Sequence, residues 1–478
     1  MPDDAAPASR DPRGAEGLAR LEADLAADLA RLNHPPANWV PPREGPDGRP
    51  ALDVLIVGAG MNGLCAAFAL RRLGVGDLRQ VDRAPPGREG PWLGYARMER
   101  LRSPKHLTGP ALGLPALTFR AWWEAQHGPE GWDALGHIPR ETWAAYLAWY
   151  ARVTGARVQG GTTLRAIRPE GAFLAATLET PEGPETVHAR QLVLATGREG
   201  QARPRIPPAF APVLGHRVRH SSEALDPAAL RGRRVVVIGA SASAFDNACL
   251  AAEHGAETTL LARVEALPTV NPMKWTVFPG FAEGFPDLPP AEKLAWLRHV
   301  AARRIAPPRH TVQRAARAGV RLVTGAETAR VEDLGGPLRL HTAAGAHDAD
   351  LVILGTGFRF DLSAAPELAD LAPRIATLRD AGLPGEDEYL DCPDLGPGFE
   401  ARPAPGADPA GLARLRLFTH AAQPSLGNLA GDIPQASEGA ARLARAIARD
   451  LFLEDAATHR ARLAAFADPE LIGDEGLA

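Results

Sequence analysis

LDVLIVGAGMNGLCAAFALRRLGVGDLRQVD, residues 52 to 82, decides the fold. Its opening run, Leu52 to Val57, is short and of buried type, apolar from Val54 on, as in a strand buried on both faces, and Ala66 to Leu73 reads as a helix. Between them GAGMNG sets glycines at 58, 60 and 63. Gly58 permits a tight turn, Gly60 lets the backbone approach a pyrophosphate, and Gly63 lets the helix pack close to the strand, with the first helical amides as donors. Leu78 to Val81 reads as the next strand, and Asp82 at its end puts a carboxylate where it can accept hydrogen bonds from ribose hydroxyls. Strand, glycines, helix, strand and terminal acid in that order predict a dinucleotide-binding unit.

The same grammar returns later in the chain. Arg234 to Ile238 is a strand, Gly239-Ala-Ser-Ala-Ser-Ala244 a turn, Ala244 to Glu253 a helix and Thr258 to Leu261 a strand. Only Gly239 is kept; Ser241 and Ser243 are small enough for close approach, and their hydroxyls can bond phosphate. No acid closes this unit. Arg263 stands there instead, which suits a 2'-phosphate and favours NADPH, with NADH second. An acid on one unit and none on the other implies two different dinucleotides, and FAD with a nicotinamide is the economical pair. Gln191 to Leu194 before Ala195-Thr196-Gly197, and Asp350 to Leu354 before Gly355-Thr356-Gly357, look like strands ending at a cofactor edge, Gly357 among the residues there. The expected fold is α/β with two Rossmann-like dinucleotide-binding domains. The NAD(P) domain, 211–324, is inserted in a discontinuous FAD domain, 51–210 and 325–478, and carries an aromatic-rich insertion over 268–318. Residues 1–50 form an arm: Leu18, Leu21, Leu25, Leu29 and Leu32 line one face of a helix over Ala15 to Leu32, expected to dock on its own domain, and a Pro-rich strap follows from Pro35 to Pro50.

Composition bounds the function. With 478 residues, 45% hydrophobic and 23% charged, the chain has room for two or three real cores. A net charge of -4 offers no basic field for a nucleic-acid backbone. No stretch approaches the ~18 apolar residues of a membrane span, and Met1 to Arg10 is acidic and polar, unlike a signal peptide. The three cysteines, Cys65, Cys249 and Cys392, form no CxxC pair and no metal-ligand spacing, so neither disulfide framework nor metal site is expected, and a cytoplasmic location fits. They also deny a reduced flavin any thiol relay. Its electrons are left with O2, an organic substrate or an electron-transfer partner.

On these motifs the chain resembles the two-dinucleotide flavoprotein monooxygenases, the group of flavin-containing monooxygenases, Baeyer-Villiger enzymes and amine N-hydroxylases. The likeness rests on GAGMNG with Asp82, on GREGPW at 87–92 in the place of GGxW, on GASASA at 239–244, and on LGTGF at 354–358 in the place of an ATGY-type motif. The group's FxGxxxHSxxY fingerprint is represented only by Leu214-Gly215 through His220-Ser221-Ser222, with Val213 for the leading aromatic and no closing Tyr or Trp. GPW at 90–92, LRSPK at 101–105, LTFR at 117–120 and IPRETW at 138–143 are similar to a bacterial branch that includes FAD-dependent urate hydroxylases. The resemblance implies FAD at the first turn, with Trp92 and Arg102 packed near it, and NADPH at the second. It further implies that O2 adds to reduced flavin and that a C4a-(hydro)peroxyflavin delivers one oxygen atom to a small polar, nitrogen-containing substrate, by N-hydroxylation or urate-type hydroxylation.

Such chemistry asks for a dry pocket rather than a nucleophile. The insertion offers Trp275, Phe278, Phe281, Phe285 and Trp296, aromatics that serve a core as readily as a pocket, with Asn271 and Lys274 as the polar groups able to orient a ligand. His220 and His310 are available acids or bases, or hydrogen-bonded structural histidines. Asp432, ahead of a helix over Ala436 to Leu453, either binds the FAD ribityl or phosphate region or closes an ordinary loop. Two rivals stand beside the monooxygenase: an NAD(P)H oxidase or reductase without oxygen insertion, and a flavin-loaded sensor or scaffold that binds a partner through the leucine helix.

Overall fold

The computed structural model describes residues 12–472. The expectation for Met1 to Arg10 lies outside them, as do the outer limits of the arm and of the final segment.

Four apolar residues of the first strand, Val54 to Val57, are buried, and so is the whole of Leu351–Leu354, because a parallel sheet is covered on both faces. Pro50–Val57 lies between Leu78–Val81 and Gly183–Leu194, both parallel to it, in a sheet of eight strands. Val158–Gln159 extends one side; the hairpin Thr163–Glu170 and Phe173–Thr180 extends the other, and Leu415–Leu417 returns late in the chain to pair with Gly183–Leu194. A second, five-stranded sheet runs Arg321–Val323, Glu257–Leu261, Arg234–Ile238, Leu351–Leu354, Val218–His220, all parallel. The antiparallel ribbon of Ala202–Pro204 with Phe358–Phe360 is where the chain leaves the first sheet and comes back. The fold is therefore α/β with two parallel-sheet dinucleotide units.

Two expected bounds move. The return to the first sheet was expected at 325, but Leu351–Leu354 registers Val235↔Leu351 to Ile238↔Leu354 in the second sheet, and a three-stranded antiparallel sheet, Thr328–Asp333, Leu338–Thr342 and Gly345–Ala349, intervenes. A wholly apolar run is stable only with neighbours on both sides, and the second sheet supplies them. The insertion was expected to reach 318; Arg309–Arg317 instead packs on the Ala242–Glu253 helix, with Ala315 in the core beside Ala248 and Cys249 and Arg314 2.6 Å from Glu253.

The arm docks on its own chain. Pro12–Arg31 lies on Phe119–Ala134 so closely that a Cβ on Gly17 would sit 1.8 Å from the Ala125 carbonyl oxygen. Leu25 is buried among Trp122, Trp143, Tyr146 and Trp149, with Leu18, Leu21 and Leu29 packed at the rim. Leu32, the expected last member of that face, is 54% exposed, because the helix ends at Arg31.

Candidate active site

The first turn is built on two contacts that admit no side chain and one open face. Gly58 has φ +108°, and a Cβ there would meet the Ala195 carbonyl oxygen at 2.4 Å; one on Gly63 would meet the Gly58 oxygen at 2.0 Å. Gly60 faces open space bounded by the Gly90 Cα, 3.6 Å from where its Cβ would be. Gly60 begins the Met61–Arg72 helix without any side-chain cap, so the first helical amides keep their donors for a ligand. Asp82 is buried; its Oδ2 accepts from Ala59 N at 2.7 Å and its Oδ1 from Ala84 N at 2.8 Å, and each oxygen retains a lone pair. Trp92 packs edge-on to Trp143 with its indole N–H buried and without a hydrogen-bond partner. Uncapped amides, a cradle that side chains would fill and an anchored carboxylate fit an FAD diphosphate and ribose.

The second turn repeats the device. Gly239 has φ +137° and would carry its Cβ to 2.6 Å from the Gly355 carbonyl oxygen. Ser241 is exposed at the start of the Ala242–Glu253 helix and makes no capping bond, and Ser243 Oγ lies 3.5 Å from Ser221 Oγ. Arg263 is exposed at the end of Glu257–Leu261, with neither hydrogen bond nor ion pair to any described residue. A free guanidinium beside uncapped amides fits a phosphorylated nicotinamide dinucleotide.

Arg102 joins the two units: its guanidinium donates to Asp246 on the second-turn helix at 2.8 Å. Burial raises the Asp246 carboxyl despite that partner. Close to the bridge stand Arg198, Asp432, Tyr95 and His420, which influence one another electrostatically. Arg198 and Asp432 have exposed side chains, yet burial lowers the one and raises the other. Burial also pushes the Tyr95 hydroxyl up to about 12 and, with the Arg198 charge beside it, holds His420 well below its ordinary range; His420 Nδ1 is buried without a partner. Asp432 accepts from Ile433 N at 2.9 Å, ahead of the Ala436–Glu454 helix.

Other expected residues stand apart. Asn271 caps the Pro272–Thr276 turn, its side chain accepting from Met273 N at 3.0 Å, and Lys274 is exposed. The aromatics divide: Phe281 and Phe285 stack at 4.8 Å, buried against Gly427, whereas Trp275 is 66% exposed. His220 holds the chain crossing, its Nε2 donating to the Gly357 carbonyl at 2.9 Å and its Nδ1 facing Ser222 Oγ at 2.8 Å; His310 lies against His137 with the rings tilted by 38°. Gly357, at φ +77°, thus serves the crossing through its backbone. Sequence reasoning missed Arg198 and His420, and also Asn428, whose amide donates to Thr276 Oγ1 at 2.6 Å and ties the insertion to the C-terminal loops. Arg198 directly follows the Ala195-Thr-Gly197 strand end, a signal that was available; His420 and Asn428 carry no motif.

All three thiols are free and buried, and burial pushes Cys249 up to about 12 and Cys65 and Cys392 higher. Among the described residues no cluster of His, Cys, Asp and Glu could hold a metal, and no helix is long and apolar enough to cross a membrane.

Residues 55–319 match the pyridine nucleotide-disulphide oxidoreductase family. The chain is 42% identical over 445 residues to the FAD-dependent urate hydroxylase of Xanthomonas campestris pv. campestris, covering 92% of this chain and 94% of that protein. Among solved structures, an ornithine N-hydroxylase of Kutzneria sp. 744 aligns with a TM-score of 0.66 at 18% identity, over 84% of this chain and 100% of the other. L-lysine 6-monooxygenase from Pseudomonas syringae aligns at 0.63 and 19% identity, over 83% and 99%. These structural likenesses speak for the fold.

Proposed function

The chain belongs to the pyridine nucleotide-disulphide oxidoreductase family, and from that premise we propose that it is an FAD- and NADPH-dependent monooxygenase that hydroxylates urate or a closely related small nitrogen heterocycle. The observation that carries the reading is the pairing of two unlike dinucleotide turns, joined by Arg102 and Asp246, with thiols that are all buried and apart. A disulfide relay has no place here; dioxygen and an organic substrate remain. The urate assignment comes from the Xanthomonas relative.

FAD is held by Gly58, Gly60, Gly63 and the amides after them, with Asp82 toward the ribose and Trp92 and Asp432 nearby; NADPH is held by Gly239, Ser241 and Ser243, with Arg263 toward the 2'-phosphate. Bound flavin supplies the two-electron chemistry that activates O2. The chain's own part is to orient and to keep water out. Phe281 and Phe285 close on Gly427, and Asn428 with Gln435, which donates to the Thr276 carbonyl at 3.3 Å, fastens the insertion above. Arg102 keeps the two turns in register through Asp246. In this reading the strands from 218 to 354 form the nicotinamide domain, Asn271 shapes the insertion rather than touching substrate, and Lys274 is a rim contact. The enzyme works in a reducing cytoplasm on a small molecule, without nucleic acid.

The test is a purified, yellow protein given NADPH and urate. Oxygen uptake matched by hydroxylated product supports the proposal; uptake matched by hydrogen peroxide at every urate concentration supports the oxidase instead.

A further inference from the structure

The insertion has two faces, and only the inner one is covered by the chain itself. Inside, Thr276 holds Asn428 and Gln435, while Phe281 and Phe285 close on Gly427. Outside, Trp275 stacks on Trp296 at 5.9 Å and meets Phe278 edge-on at 5.2 Å, and the three are 66%, 36% and 40% exposed. Single apolar side chains at a surface need no explanation, but three aromatic rings in mutual contact make a continuous patch. Trp296 lies on the Pro290–Arg303 helix, whose Leu294 and Leu297 are buried toward the chain. At 3.6 residues per turn, Glu292, Trp296, His299 and Arg303 share the opposite side within an arc of about 60°. All four are exposed, and Glu292, His299 and Arg303 make no hydrogen bond or ion pair with any described residue. Their spacing is symmetric: turning the helix end for end exchanges Glu292 with Arg303 and Trp296 with His299. A strip of that kind complements its own copy across a twofold axis.

We propose that this face is a dimer interface, in which two copies of the chain pair their Pro290–Arg303 helices antiparallel. Each Glu292 then meets the other copy's Arg303, each Trp296 meets the other copy's His299, and Trp275 and Phe278 are covered at the flank. Antiparallel helices also set opposite dipole ends side by side. The strip carries both signs of charge in the order that its own reverse requires, whereas an anionic lipid surface calls for bases alone. The proposal goes beyond the function given above and does not depend on which substrate is hydroxylated.

The experiment is sedimentation equilibrium of the full-length, FAD-loaded chain over a range of concentrations, for wild type, Trp296→Ala, Glu292→Arg, Arg303→Glu and the double variant Glu292→Arg with Arg303→Glu. Wild type is expected as a dimer. Trp296→Ala raises the dimer Kd about 100-fold, because each substitution counts on both sides of the axis. Each single charge reversal raises it about 10-fold by setting like charges opposite one another, and the double variant returns to within about twofold of wild type, since the exchanged pair is complementary again. Glu292 and Arg303 are exposed and unpaired within the chain, so the charge variants keep the wild-type flavin content and carry the test by themselves. A monomeric wild type overturns the inference, and one that instead co-sediments with phosphatidylglycerol vesicles assigns the patch to a lipid surface. A dimer indifferent to Trp296→Ala, or single reversals that the double variant fails to rescue, overturn it as well.

Discussion

In the first dinucleotide unit the helix carries the missing side chain, and in the second the facing strand does. Gly63 is bare because its Cβ would press on the Gly58 oxygen, while Ala195, which follows the strand beside it, keeps its methyl. At the matching place in the second unit the helix has Ala244, and the residue after the neighbouring strand is Gly355, whose Cβ would lie 2.7 Å from both the Ala244 Cα and Cβ. The register makes the two places equivalent: Val57 pairs with Leu194 just before Ala195, and Ile238 with Leu354 just before Gly355. Close packing of helix on sheet needs one vacancy in the contact, and either partner can provide it. The second unit thus keeps a methyl on its helix at Ala244, and the bare Gly355 makes room for it. The units also differ in how they end. Asp82 is buried and fixed by two amides, whereas Arg263 is exposed and free.

The harshest way to break this comparison is Gly63→Ala. A methyl placed 2.0 Å from a backbone oxygen has nowhere to go, so we expect near-complete loss of bound flavin and about 3 kcal/mol of stability, read from flavin absorbance per chain and from the urea midpoint. Gly355→Ala attacks the second unit from the strand side and is expected to cost about 2 kcal/mol, with most of it recovered when Ala244→Gly is added. A double-mutant cycle without coupling would refute the exchange of vacancies. Arg263→Ala sharpens the contrast between the two ends: KM for NADPH rises about tenfold and KM for NADH about twofold or less, and equal effects would remove the 2'-phosphate assignment.

The smallest effect concerns pH. Folded His420 is held well below its ordinary 6.5, so the unfolded chain binds a proton there that the folded chain refuses. Stability is then fully present above about pH 6.5 and declines as the pH falls below it. His420→Gln should flatten that acid limb in urea melts at successive pH values; an unchanged slope would mean that His420 does not titrate differently on folding.

Local order was legible wherever apolar runs and small residues dictate it. Leu78 to Val81 and Arg234 to Ile238 stand as read, because short β-rich runs between turns have no competing structure. Helix starts came out late, at Ala66 for Met61 and at Ala244 for Ala242, since neither Gly60 nor Ser241 caps its helix with a side-chain bond and each first turn is hidden in a run of small residues. The allocation of Leu351–Leu354 could not be read, as a run buried on both faces matches either sheet equally and only partner register decides. The same holds for the site. Gly58, Gly63, Gly239 and Asp82 declare themselves by local geometry, whereas Arg198 comes within electrostatic range of His420 and Asp432 only after the chain has gone around the second sheet and returned through Leu415–Leu417.

The three sealed thiols bear on durability. An enzyme that brings oxygen to a reduced flavin sheds some peroxide, and the usual first casualty is an accessible thiolate, taken stepwise toward acids that no reductant restores. Cys65, Cys249 and Cys392 are all interior and disfavoured as anions, so peroxide shed at the flavin meets no accessible thiolate in this chain.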